Sequence, residues 1–280
     1  MAANMQIEIA KNCGFCFGVK RAVKIAQKAS GASTIGELIH NNLEIKRLQD
    51  ECNVKTLKSI DELTNEKTAI IRTHGITKSE LAKLSKKDIK IIDATCPFVT
   101  KPQKIAADMS AAGYEIVYFG DKEHPEAKSV ASYATTRVYI VLSADELADI
   151  KLPNKIALIS QTTKKIEKYN ALVAHLIARV KEVRVFNTIC NATLQNQEAA
   201  ANLAKRADIM IIIGGKNSSN TKQLFLIAKA ICQNSYHIEN ADELQKEWFK
   251  DKKLCGITAG ASTPEWIIEN IANAIKNFSY

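Results

Sequence analysis

The sequence predicts an α/β protein of three pseudo-symmetric α/β units, each with a small and mostly parallel sheet. Two observations support this fold class. Short runs rich in β-branched residues alternate with segments of helical apolar spacing along the 280-residue chain. An arrangement of strand, cysteine and helix also recurs in each third of the chain. Alternation of this kind is typical of parallel strands joined by helical crossovers.

The predicted strands are short apolar runs that end near Gly, Asn, Asp, Ser or Thr. They cover residues 5–10, 69–72, 89–92, 114–119, 155–159, 183–186, 209–213 and 254–258. Helical patterns lie between them, over residues 19–29, 101–112, 164–180, 196–204, 221–231 and 264–278. Pro97 directly follows Cys96 and suits the first position of a helix.

The recurring arrangement places one cysteine between a strand and a helix in each third of the chain. These cysteines are Cys16, Cys96 and Cys190. They predict units at 1–96, 97–190 and 191–280, although the strand at 5–10 could join the sheet of the third unit. Each unit is small for an independent domain, so we expect the three to pack around a common centre.

Polar residues on strand-end loops follow each cysteine at similar distances, two per cysteine. In chain order they are His40, His74, His124, Thr162, Ser218 and Ser262. Ligands of open α/β sheets bind where strands end and helices begin. We therefore expect one site to which each unit contributes one thiol and two polar loops.

Three thiols from distant segments suit a metal centre. Each precedes a predicted helix start, where the helix macrodipole favours the thiolate that binds metal. Such a set could hold zinc or an iron–sulfur cluster. A [4Fe–4S] cluster on three cysteines would leave one iron open to a substrate oxygen and could pass electrons. A non-enzymatic zinc module on the same cysteines is the alternative.

The other four cysteines are predicted not to be metal ligands. Seven cysteines in a chain without a secretory signal argue against a disulfide framework. Cys13 forms a Cys-x-x-Cys pair with Cys16, but a zinc ribbon needs a second such pair. We take Cys16 as the ligand because it lies nearer the helix start. Cys52, Cys232 and Cys255 are predicted core residues.

Composition limits the partners. Lys and Arg number 39 against 30 Asp and Glu, which gives a net charge of +9. The basic residues are dispersed and aromatic residues make up only 6%, so no nucleic-acid partner is expected. A small anionic substrate or an acidic protein fits better. No apolar run is long enough to cross a membrane and no signal segment is recognisable, so we expect a cytoplasmic protein.

The motifs resemble those of the 4-hydroxy-3-methylbut-2-enyl diphosphate reductases, the iron–sulfur reductases of the non-mevalonate isoprenoid pathway. Nine segments match in the family's order over nearly the whole chain. They read GFCFGVKRA from residue 14, LIHN from 38, IRTHG from 71, DATCP from 93, HPE from 124, SQTT from 160, TIC from 188, KNSSN from 216 and TAGAS from 258. Glu37, Pro102 and the glycine-free residues 127–129 depart from the family's pattern and concern loop shape.

The resemblance implies a cloverleaf of three α/β units around a central [4Fe–4S] cluster held by Cys16, Cys96 and Cys190. It implies a diphosphate subsite, whose members are His40, His74, Ser218, Ser219, Asn220 and Ser262. It also implies that His124 and Glu126 serve the substrate hydroxyl and the proton supply, and that Thr162 hydrogen-bonds near that hydroxyl. Among the residues of this subsite, the resemblance gives Ser219 a secondary place.

The implied reaction is the reductive dehydroxylation of 4-hydroxy-3-methylbut-2-enyl diphosphate to isopentenyl and dimethylallyl diphosphate. Two single electrons would pass through the cluster, protons would come through Glu126, and a ferredoxin or flavodoxin would be the electron donor. The enzymatic alternative is an iron–sulfur hydro-lyase that uses the open iron as a Lewis acid and needs no electrons. Glu126 on sequence alone could also be an exposed loop residue, because glutamates are seldom buried.

Overall fold

The computed structural model describes residues 5–278, which form parallel strands joined by helices. The strands are β1 (Gln6–Ile9), β2 (Ser33–Ile35), β3 (Lys55–Leu57), β4 (Thr68–Ile71), β5 (Lys90–Asp93), β6 (Glu115–Phe119), β7 (Val138–Val141), β8 (Lys155–Ser160), β9 (Glu182–Phe186), β10 (Ile209–Ile213), β11 (Ser235–Ile238) and β12 (Leu254–Ala259). The helices are α1 (Phe17–Lys28), α2 (Asn42–Cys52), α3 (Lys78–Leu84), α4 (Pro97–Ala111), α5 (Pro125–Ala131), α6 (Ile166–Arg179), α7 (Asn191–Ala204), α8 (Ser219–Ile231) and α9 (Glu265–Lys276).

Within the described residues these strands build three four-stranded sheets, and every strand pair is parallel. The strand orders are β1-β12-β10-β11, β3-β2-β4-β5 and β7-β6-β8-β9. The predicted fold class, α/β with small parallel sheets, is therefore confirmed. Parallel sheets are usually covered on both faces, so their strands are continuously apolar. The strand β10 has this pattern, and all five of its residues are fully buried.

The chain divides into two compact units. The first contains residues 5–20, 40–46 and 191–278 and holds the sheet of β1, β10, β11 and β12. The second contains residues 21–39 and 47–190 and holds the other two sheets. The N-terminal strand β1 pairs with β12, so it lies in the sheet of the third predicted unit, residues 191–280. The boundaries at 96 and 190 stay a prediction.

Every predicted strand is present, with ends shifted by at most one residue, whereas β2, β3, β7 and β11 were not predicted. The strands β2 and β3 have only three residues each, and β3 reads Lys-Thr-Leu, so neither carries a usable pattern. Helices α2, α3 and α5 were also not predicted. α4 begins at Pro97, four residues before the predicted start, and contains Pro102, which cannot donate a hydrogen bond inside the helix.

Candidate active site

The loop before α1 presents Cys16 at the carboxyl end of β12. The Cys16 N–H donates to the Ala261 carbonyl at 3.1 Å, and the Gly14 N–H donates to the Ala259 carbonyl at 3.2 Å. Gly14 has φ +76°, and a Cβ there would lie 3.1 Å from the Thr263 carbonyl oxygen. Only glycine fits this turn without strain, so the sequence Gly-Phe-Cys fixes the place of Cys16 directly before α1.

Cys96 and Cys190 occupy equivalent places after strands of the second unit. Cys96 is the residue before α4, and its N–H donates to the Thr73 carbonyl at 3.0 Å. Cys190 directly precedes α7, and its N–H donates to the Thr162 carbonyl at 2.9 Å. The thiols of Cys16, Cys96 and Cys190 are half-buried. Each therefore lies between a strand and a helix N-terminus, as the repeat predicted.

The remaining cysteines have different surroundings. Cys13 packs against two apolar cores of the first unit, and burial raises the pKa of its thiol. Cys232 and Cys255 are buried, and burial raises the pKa of Cys255 to about 12. Cys52 is half-buried at the end of α2. Thiols that ionise less readily make poorer metal ligands, which disfavours Cys13 and Cys255 for that role.

The first unit contains five of the six predicted diphosphate residues, namely His40, Ser218, Ser219, Asn220 and Ser262. The Ser262 hydroxyl donates to the His40 carbonyl at 2.9 Å. Gly215 also approaches His40 closely, because a Cβ on this glycine would lie 2.6 Å from the same carbonyl oxygen. Ser218 is the N-cap of α8, and its hydroxyl accepts from the Thr221 N–H at 3.3 Å. Ser218 thus serves as a plain helix cap whatever else it binds.

Asn220 lies in the first turn of α8 and is only 4% exposed. Both its amide nitrogen and its amide oxygen are buried, and neither has a hydrogen-bond partner among the described residues. Leaving such groups unsatisfied is costly, so a buried amide without a protein partner indicates a bound ligand or water. Asn220 also lies at the N-terminus of α8, where the helix dipole favours an anion.

In the second unit, His74 and His124 lie edge to face, with ring centroids 5.3 Å apart. The turn before His74 is held by Thr73, whose N–H and hydroxyl both donate to the Leu38 carbonyl, at 3.2 and 2.8 Å. His124 is the N-cap of α5, and its Nδ1 accepts from the Glu126 N–H at 3.2 Å. A neutral His124 therefore carries its proton on Nε2. Pro125 is the first residue of this helix.

Glu126 is 1% exposed, so the alternative of an exposed loop glutamate is wrong. Its Oε1 accepts from the Thr162 N–H at 2.8 Å and from the Tyr118 hydroxyl at 3.2 Å. Its Oε2 lies 2.6 Å from the Thr162 hydroxyl. Burial raises the pKa of Glu126, although these hydrogen bonds and the Lys164 cation oppose the rise. Burial therefore shifts this carboxyl, which lies beside the Thr162 hydroxyl, toward its protonated form.

The sequence interpretation missed Tyr118 and Lys164. Tyr118 stands in an apolar strand run that gives no sign of a functional role, whereas its hydroxyl reaches Glu126. Lys164 was taken as the first residue of a helix that in fact begins at Ile166, and it is only 8% exposed. A lysine directly after a polar strand-end loop could have indicated its place. His237 lies half-buried in β11, and its Nε2 hydrogen-bonds the Gly214 carbonyl at 2.8 Å.

Comparison with known proteins gives one consistent family. The family model described as LytB protein matches residues 7–276. A 4-hydroxy-3-methylbut-2-enyl diphosphate reductase from Campylobacter fetus is 65% identical over 99% of both chains. The protein of the same name from Campylobacter lari is 62% identical over 98% of this chain and 99% of that one. The chain therefore belongs to the LytB family, and the resemblance found in the motifs is confirmed.

Solved structures agree with this family. A structure of (E)-4-hydroxy-3-methyl-but-2-enyl diphosphate reductase, described as the terminal enzyme of the non-mevalonate pathway, is 41% identical. It covers 97% of this chain and 99% of its own, with a TM-score of 0.72. The reductase of Plasmodium falciparum is 24% identical, covers 98% and 89% of the two chains and has a TM-score of 0.91, which shows a shared fold.

Proposed function

We propose that the chain is a 4-hydroxy-3-methylbut-2-enyl diphosphate reductase, as its relatives are named. The reaction removes the allylic hydroxyl and yields isopentenyl and dimethylallyl diphosphate. The observation that carries the proposal is the buried Glu126 carboxyl with its Oε2 at 2.6 Å from the Thr162 hydroxyl. A poor leaving group needs an acid shielded from water, and this pair offers one.

Cys16, Cys96 and Cys190 are the residues that would hold the iron–sulfur cluster. The donor set fits, because all three are half-buried thiols placed before helix N-termini, which stabilise thiolates. A [4Fe–4S] cluster with three cysteine ligands supplies single electrons and one open iron. The chain's part is to present the thiolates and to keep the competing thiols of Cys13 and Cys255 in apolar surroundings.

We assign the diphosphate to His40, His74, Ser218, Ser219, Asn220 and Ser262. The buried amide of Asn220, with no hydrogen-bond partner among residues 5–278, supports this assignment. Hydroxyl groups, imidazoles and the N–H groups at the start of α8 are donors suited to phosphate oxygens.

His124, Glu126 and Thr162 serve the hydroxyl end. The reaction consumes two electrons and two protons: the carbon–oxygen bond breaks, one proton leaves within water, and the other forms the new carbon–hydrogen bond. A protonated Glu126 donates from Oε2 to the Thr162 hydroxyl, and that hydroxyl passes its own proton on. Burial is the main cause that raises the pKa of Glu126, and it makes the carboxyl hold this proton to higher pH than an exposed glutamate does.

An acidic ferredoxin or flavodoxin is the proposed electron donor. Helices α1 and α4, which follow Cys16 and Cys96, each expose a phenylalanine near their start: Phe17 is 66% exposed and Phe98 45%. Exposed lysines continue both helix faces at helical spacing, namely Lys20, Lys24, Lys101 and Lys104. Aromatic and basic groups together suit an acidic redox partner.

Within the described residues, no helix is both long and apolar enough to span a bilayer.

The test is anaerobic turnover of the reconstituted protein with 4-hydroxy-3-methylbut-2-enyl diphosphate, with and without a chemical reductant. We expect both five-carbon diphosphates to form only when the reductant is present. Conversion without reductant would establish the hydro-lyase alternative. A colourless protein that contains zinc and no sulfide would establish the zinc module.

A further inference from the structure

Tyr118 is a fully buried tyrosine whose hydroxyl points at the carboxyl of Glu126. It lies near the end of β6, is 0% exposed, and donates to Glu126 Oε1 at 3.2 Å. Its ring fills the space beside Gly120, since a Cβ on that glycine would lie 2.5 Å from Tyr118 Cε1. Gly120 does not have a positive φ, so the ring of Tyr118, and not the backbone, requires glycine at this position.

The hydrogen bonds divide the two carboxyl oxygens into different roles. Oε1 accepts from the Thr162 N–H, which can only donate, and from the Tyr118 hydroxyl. Burial and the neighbouring Glu126 charge raise the pKa of Tyr118 well above its ordinary value, so this hydroxyl keeps its proton. Oε2 has the Thr162 hydroxyl at 2.6 Å, a group that can either donate or accept.

We propose that Tyr118 is a positioning residue for the acid of this reaction: with the Thr162 N–H it occupies Glu126 Oε1 and so confines the transferable proton to Oε2, facing the Thr162 hydroxyl. The inference rests on the proposed function and adds a residue that none of the motifs contains. A carboxyl with one donor fewer on Oε1 could place its proton on either oxygen. Proton transfer through Thr162 would then compete with an unproductive orientation.

Other groups around Glu126 bear on its charge. His124 accepts the Glu126 N–H and lies on the same helix, α5. Lys164 is 8% exposed, and its positive charge opposes the rise in the pKa of Glu126. Burial lowers the pKa of Lys164 itself, while the Asp121 charge raises that pKa and the Lys168 charge lowers it. These groups are unchanged in a Tyr118→Phe variant, which removes only the hydroxyl. The direction of any change in the titration of Glu126 can therefore be assigned to the lost donor.

The experiment compares holoenzyme carrying Tyr118→Phe with the wild type. The turnover number should fall by about three- to tenfold while KM for the diphosphate substrate is unchanged, because the lost contact does not touch the substrate. Losing a donor to the carboxylate favours the protonated acid. The alkaline limb of the rate profile, which marks ionisation of Glu126, should therefore move to higher pH.

Tyr169→Phe is the matched control. Tyr169 is 1% exposed, and its hydroxyl lies 2.8 Å from the Phe186 carbonyl oxygen and 3.3 Å from the Leu158 carbonyl oxygen, so its partners are backbone carbonyls and not the Glu126 carboxyl. The variant Tyr169→Phe also lacks one buried hydroxyl, as Tyr118→Phe does. It therefore reports only the structural cost of that loss and should not move the alkaline limb of the rate profile. Gly120→Ala, which displaces the Tyr118 ring, should reproduce the effect of Tyr118→Phe if that variant is poorly soluble.

A second readout does not depend on turnover. The infrared carbonyl band of the protonated Glu126 carboxyl, assigned by its absence in Glu126→Gln, should persist to higher pH in Tyr118→Phe than in wild type. A band that titrates at the same pH in both proteins would overturn the inference. So would an active wild type whose Tyr118→Phe variant behaves as Tyr169→Phe does. An inactive wild type would instead refute the proposed function and leave the infrared comparison to decide the role of Tyr118.

Discussion

Glu126 is a carboxyl that the fold removes from water and surrounds with donors, and its chemistry follows from that balance. Burial is the largest influence and raises its pKa, while Thr162 and Tyr118 offset part of the rise. Glu126→Gln keeps the shape and most hydrogen bonds but has no acidic proton. We expect normal cluster content and substrate affinity with turnover lowered by about 10²-fold or more. Normal turnover by Glu126→Gln would transfer the acid role to His124 or to the substrate's diphosphate.

The same residue makes stability depend on pH. Because the folded-state pKa of Glu126 is raised above that of an unfolded glutamate, the folded protein holds this proton longer as pH rises. The contribution of this carboxyl to the free energy of unfolding is therefore full at low pH and is lost as pH rises through the folded-state pKa. Denaturant unfolding should show Glu126→Gln gaining stability relative to wild type as pH rises. A difference that does not change with pH would contradict the raised pKa.

Replacing Asn220 tests whether its side-chain amide binds the diphosphate. Its side chain has no hydrogen-bond partner within residues 5–278, so Asn220→Ala gives up a ligand contact without breaking a hydrogen bond of the protein. We expect inorganic diphosphate to bind more weakly by about 1.5–3 kcal/mol, measured by calorimetry. The control is Asn217→Ala, an exposed asparagine of the same loop. Equal affinity in both variants and wild type would remove Asn220 from the subsite.

Among the loops that join strands to helices, the turn before α1 is one that requires glycine. Gly14 has positive φ and a close carbonyl neighbour, whereas Gly31, also at positive φ, has open space around its Cα. Alanine at either position costs about 1–2 kcal/mol of backbone strain. Only Gly14→Ala should also displace Cys16, so iron content should fall in this variant and not in Gly31→Ala. Equal iron content would show that the turn does not position Cys16.

The sequence predicted the elements whose patterns come from burial and missed those shaped by local contacts. The run Ile209–Ile213 is buried on both faces and is unmistakable. The short helix α5 begins with a proline behind a histidine cap, which reads as a turn when its partners are unknown. Glu126 was found through the family motif, but Tyr118 could not be, because an aromatic residue in a strand usually means core.

At the scale of the whole molecule, the charge of +9 should guide an acidic electron donor. Replacing Lys101 and Lys104 with glutamate should slow reduction by an acidic ferredoxin and weaken its dependence on salt. The control replaces Lys83 and Lys86, exposed lysines near the end of α3, and makes the same change in net charge. Equal slowing by the two pairs would mean that net charge acts without a docking face.

The assignment of Cys16, Cys96 and Cys190 to one cluster is the central claim, and the anaerobic visible spectrum with iron and sulfide analysis tests it most directly. We expect the wild type and Cys13→Ser to be brown, to contain iron and sulfide, and to bleach in part on reduction. Serine at position 16, 96 or 190 should lower the cluster content sharply, because a thiolate ligand is lost. A Cys13→Ser variant without cluster, or a colourless wild type after anaerobic reconstitution, would contradict the account.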